Sequence, residues 1–67
     1  MRFKLIDPKN DADVLGGPVT EDNVYLRAYG HPIEGERAVR ELAVGESTLL
    51  KFNLSGTQGV YRCVRLE

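Results

Sequence analysis

Polar and apolar residues alternate through the first segment, RFKLI. Phe3 and Leu5 point to one side and Arg2 and Lys4 to the other, the period of a half-buried strand. Asp7-Pro8 ends it, because proline has no amide donor and restricts the residue before it. From there to Asn23 the chain is rich in Asp, Asn, Gly and Pro and shows no clear period, which predicts a long connection. Alternation returns in NVYLRAY, with Val24, Leu26 and Ala28 for the core and Tyr25, Arg27 and Tyr29 on the other side. GHPIEG then reads as a turn.

Residues 36–43 are the ambiguous segment. As a helix, Val39, Leu42 and Ala43 share one stripe, Glu36 and Arg40 pair at i, i+4, and Gly45 sits just beyond the end, where a left-handed cap is wanted. As a strand the same stretch alternates only loosely, so two turns of helix are preferred. STLLKFNL predicts a strand with Leu50, Phe52 and Leu54 inward and Leu49, Lys51 and Asn53 outward. SGTQG is a short glycine-containing hairpin turn and VYRCVRL the returning strand. The order β-β-α-β-β predicts an α+β fold, a four-stranded, mainly antiparallel sheet with one short helix over one face. A small all-β barrel is the alternative if residues 36–43 are extended.

The 67 residues form a single small domain, 1–67. A chain of this size buries only about 60% of the surface exposed when unfolded, so its stability is marginal. Cys63 is alone, which excludes an internal disulfide and a cysteine-cluster zinc site and leaves packing or self-association as support. No apolar run approaches a membrane span and MRFKLIDPKND has no signal-peptide hydrophobic region, so a cytoplasmic location and no membrane contact are expected. The sequon Asn53-Leu54-Ser55 would matter only in a secreted chain and reads as chance. The net charge of −1 hides a segregation: residues 7–23 carry Asp7, Asp11, Asp13, Glu21 and Asp22 against Lys9 alone, while bases collect in the segments that read as strands.

DADVLGGPVTED places Asp11, Asp13, Gly16 and Asp22 at positions of a calcium loop, but Leu15 occupies a ligand position, the bidentate Glu is absent and no helix precedes it. It reads as a series of acidic turns, and no metal or other cofactor is expected. His31 is the only histidine and lies in a Gly-His-Pro turn; a Cys63–His31 nucleophile pair would need a third, orienting group and a cleft. Without HExxH, GxSxG or a phosphate-cradling glycine loop, the protein reads as a non-enzyme. Cys63, late in a strand, reads as a buried small hydrophobe.

Two resemblances are visible. LAVGESTLLKF and Tyr61-x-Cys63 resemble pieces of immunoglobulin-like domains, but the first cysteine of that pattern falls at Phe52, and the two stretches are simply one hairpin. RELAVGESTLLKF and GVYRCVRLE, about a third of the chain, resemble small bacteriophage and prophage proteins in which a helix passes through L-x-V-G-E-S into a strand. That resemblance implies a genomic origin and no activity.

If the helix covers the face of Phe3, Leu5, Val24, Leu26, Leu50 and Phe52, the open face bears Arg2, Lys4, Tyr25, Arg27, Tyr29, Lys51 and Asn53. Tyr61, Cys63 and Arg65 join it if Tyr61 faces out. Tyr25, Arg27, Tyr29, Lys4, Lys51, Tyr61 and Arg65 are therefore the candidate binding residues. Tyr and Arg are enriched at interface hot spots, so the expected function is a non-enzymatic interaction or regulatory role, the face or a strand edge binding another protein or a second copy. Single-stranded nucleic acid ranks second, because aromatics interleaved with bases also stack and neutralise it.

Overall fold

A computed structural model of the chain describes residues 1–28 and 32–67, and the side chains of all of these except residues 32–35. The elements are β1 (Arg2–Ile6), β2 (Val19–Thr20), α1 (Glu21–Arg27), α2 (Pro32–Arg40), β3 (Ser47–Leu54) and β4 (Thr57–Arg65). The strands form one open antiparallel sheet in the order β2-β1-β4-β3, so the α+β class holds and the sheet is not closed into a barrel.

Strands β1 and β3 lie where alternation places them, whereas β4 begins at Thr57, three residues before the expected VYRCVRL, and shortens the expected SGTQG turn to two residues. The hairpin β3–β4 turns through Ser55 and Gly56, both left-handed at φ 52° and 83°, the signature of a type I′ turn that matches the twist of the strands. Facing pairs Leu5–Cys63, Cys63–Thr48, Tyr61–Leu50 and Gly59–Phe52 define the inner side of the sheet. Against it the helical layer delivers Val24 and Val39, and Leu42 follows from just beyond α2. Phe3, Leu5, Val24, Val39, Leu42, Phe52 and Cys63 form one buried cluster. The expected burial of Cys63 is met; loss of solvation pushes its thiol up to about 11.

The second strand is where expectation fails. Residues 23–27 of the expected strand NVYLRAY instead lie in α1, and the second strand of the sheet is the preceding pair Val19–Thr20. The cause is local. Thr20 is the extended residue before the helix, Glu21 and Asp22 fill the positive first turn, and Arg27 lies in the negative last turn. Arg27 Nη1 also donates to the backbone oxygen and Oδ1 of Asn23, one turn back, at 3.2 and 3.1 Å. Period 2 and a helical turn of four both put Val24 and Ala28 on one side. Leu26 separates them: a strand would bury it, and here it is 81% exposed.

The helix expected at 36–43 is present but displaced, running from Pro32 to Arg40. Proline at the first helical position needs no amide partner and is already set to the helical φ. Val39 and Leu42 are buried as expected, and Ala43 is exposed. The long acidic connection is held by its own side chains: Asp7, Asn10 and Asp13 each accept a hydrogen bond from the amide two residues on, at 2.9, 3.0 and 3.2 Å. It packs back on β1 through the bridge Ile6–Asp13.

Candidate protein-interaction surface

The tyrosine-arginine face does not form. Tyr25 and Arg27 project from α1 rather than from a strand. Tyr25 packs against the core, and its hydroxyl lies 3.2 Å from Nε of Arg40, whose guanidinium sits 5.5 Å from the ring centre. That contact raises the pKa of Arg40. Tyr61, Cys63 and Arg65 do share a side of β4, as their spacing requires, but it is the inner side. Tyr61 lies with its ring 6.4 Å from that of Phe52, over Gly59, where a Cβ would meet the Tyr61 ring at 3.1 Å. Arg65 donates from Nη1 to the carbonyl of Leu42 at 2.7 Å and so ties the end of the helical layer to the sheet. Tyr29 lies outside the described residues.

Lys4 and Lys51 do lie on the open face, and the register shows what accompanies them. Three successive rungs cross the sheet there. The first is Lys4–Val64–Ser47, the second Ile6–Arg62–Leu49 and the third Val60–Lys51. Each rung has one cation and at least one aliphatic side chain. Leu49 and Val60 are 52% and 48% exposed, whereas Ile6 is buried at the edge where the acidic connection folds back. Among the described residues no ion pair involves Lys4, Lys51 or Arg62. Arg2, at the margin, is paired with Glu67 at 3.3 Å. No strand residue on this face is a carboxylate.

The three cations run diagonally from β1 through β4 to β3. Each step is one strand across and one rung along, about 8 Å from the ~4.8 Å strand spacing and the ~6.7 Å two-residue rise. Parity explains which residues the sequence reading missed. Setting Tyr61 outward put Arg62, Val60 and Val64 inward, and a one-residue error of that kind exchanges the whole set. The cue that could have settled it is Cys63, the side chain on β4 most readily buried, which brings Tyr61 and Arg65 inward with it.

Elsewhere, Glu36, Arg37, Arg40 and Glu41 line an open hollow of about 340 Å³ that mixes both signs of charge. No group of His, Cys, Asp and Glu among the described residues is arranged to hold a metal ion, and no helix among them is long and apolar enough to cross a membrane. Comparison with family models, with curated proteins and with solved structures found no match to this chain.

Proposed function

We propose that the protein is a small non-enzymatic interaction module whose open sheet face receives an acidic segment of another protein, with carboxylates interleaved with aliphatic side chains. One observation carries this reading: three consecutive rungs each hold a cation with no ion pair among the described residues, beside aliphatic side chains that are exposed at Leu49 and Val60, with no carboxylate on the four strands themselves. Neighbouring strands ordinarily mix signs, since like charges facing each other destabilise a sheet. Charge complementarity selects the occupant. A second copy laid face to face would oppose Lys4, Lys51 and Arg62 with the same cations.

Single-stranded nucleic acid is the weaker reading, because base stacking needs aromatic platforms. Neither tyrosine on the sheet or helix layer that the structure describes, Tyr61 or Tyr25, belongs to the open face. The phage-protein resemblance adds a genomic origin to this reading and does not name the partner.

Fluorescence anisotropy with a synthetic peptide of interleaved Glu and Leu, beside a labelled oligothymidylate, tests it. The peptide binds, keeps part of its affinity as salt is raised, and loses it when Lys4, Lys51 and Arg62 are all changed to Gln. Oligothymidylate binding that exceeds the peptide's and falls steeply with salt, as phosphate neutralisation demands, would favour nucleic acid. Binding of neither refutes the proposal.

A further inference from the structure

Four exposed side chains form a checkerboard at the centre of the open face. Arg62 faces Leu49 across one rung and Val60 faces Lys51 across the next, so the cations lie on one diagonal and the aliphatics on the other. Lys4, level with Val64 one rung earlier, extends the cation row into β1. From Lys4 to Lys51 the row spans about 16 Å and runs about 35° off the strand direction, given the spacings of strands and residues. Leu49 and Val60 fall on opposite sides of it.

The donors and acceptors on this face limit what backbone can lie over it. Lysine and arginine donate and never accept. Among the side chains of the three rungs the Ser47 hydroxyl, at one corner, is the sole acceptor; Asn53 and Gln58 face each other one rung beyond Lys51. An extended segment laid across the rungs would hold its amides beside Leu49 and Val60 with no acceptor to receive them, and an unpaired amide against apolar surface is costly. A helix bonds its amides internally and brings only side chains to the face.

We infer that the acidic partner segment is an amphipathic α-helix of about three turns lying along the cation row. This rests on the open face being the receiver of an acidic segment, and the helix is the form that segment takes. Carboxylates at i, i+4, i+7 and i+11 make one stripe about 16 Å long, the length of the row. Aliphatic side chains on the two flanks of the stripe meet Leu49 on one side and Val60 on the other. Such a helix makes the sheet the middle of three layers, with the buried cluster and the helices α1 and α2 beneath it. Recognition is then by the apolar and charged face of a helix laid on a shallow surface.

Fluorescence anisotropy with three labelled peptides decides it. The first carries Glu at i, i+4, i+7 and i+11 with Leu on both flanks. The second is the same peptide stapled between two positions on its far side, and the third has two far-side residues replaced by proline. Proline keeps the Glu and Leu residues and breaks the helix, so this peptide binds about ten-fold more weakly or worse. The stapled peptide binds several-fold more tightly than the linear one, because its order is already in place. Cα chemical shifts of the ¹³C-labelled linear peptide move to helical values on binding. Equal binding of the linear and proline peptides, or extended shifts in the bound peptide, overturns the helix and leaves the acidic-segment reading standing. Failure of all three peptides to bind removes that reading and the helix with it.

Discussion

Strand β4 has two sides with different fates. Tyr61 and Cys63 belong to or pack on the buried cluster that includes Val24 and Val39 of the helices, whereas Val60 and Arg62, on the alternate positions, have no layer over them. The covered side is apolar except at its end, where Arg65 reaches a carbonyl of the helical layer; the uncovered side interleaves aliphatics with cations. One strand thus separates a side packed under the helices from a side whose Val60 and Arg62 are exposed. That separation is the basis for assigning the open side to a partner, and substitutions on the two sides test it.

The largest effect belongs to the covered side. Phe52→Ala empties a fully buried position and removes the ring beside Tyr61. It should cost about 3–5 kcal/mol, enough to unfold much of a domain this small, read by chemical denaturation. On the uncovered side, changing Lys4, Lys51 and Arg62 together to Gln should move the denaturation midpoint little, about 0.5 kcal/mol or less per site, while abolishing capture of the acidic peptide. A triple variant that unfolds as readily as Phe52→Ala would erase the difference between the sides.

The buried thiol sharpens the contrast through pH. Its pKa is raised from 9.0 to about 11 in the folded protein, so folding disfavours the thiolate. The stability linked to this group is intact below pH 9 and is lost as pH rises from there towards 11. Denaturation midpoints should fall across that window, and Cys63→Ala should remove this part of the fall. An unchanged slope in Cys63→Ala would mean the thiol is not shielded as its position on the inner side requires.

The smallest expected effect is at Leu26. Because it is 81% exposed on α1, Leu26→Gln should alter stability by about 0.5 kcal/mol or less. Burial in a strand would instead make the same change cost several kcal/mol. Thermal denaturation distinguishes the two.

These positions also show what could be read in advance. β1, β3 and the existence of the hairpin were legible because alternation at Phe3–Leu5 and Leu50–Phe52–Leu54, with a glycine-containing turn before a second strand, admits few other arrangements; the turn itself proved tighter than SGTQG, and β4 starts at Thr57. Residues 23–29 were not, because Val24 and Ala28 satisfy a strand and a helix alike. The charge signals at Glu21, Asp22 and Arg27 had to outweigh the alternation. Of the expected binding residues, Lys4 and Lys51 lie on the open face, carried there by correctly registered strands. Tyr25 and Arg27 left it with the helix, and Tyr61 and Arg65 with the parity of β4, which in this two-sided strand only the preference of Cys63 for burial signals.

The central claim is that the open face, and not the helical layer, receives the partner. Its most direct test is a titration of ¹⁵N-labelled protein with the Glu/Leu peptide, followed by amide chemical shifts. The account predicts that the shifts concentrate on Lys4, Leu49, Lys51, Val60, Arg62 and Val64. Shifts concentrated instead on α1 and α2, around Tyr25 and Arg40, would contradict it.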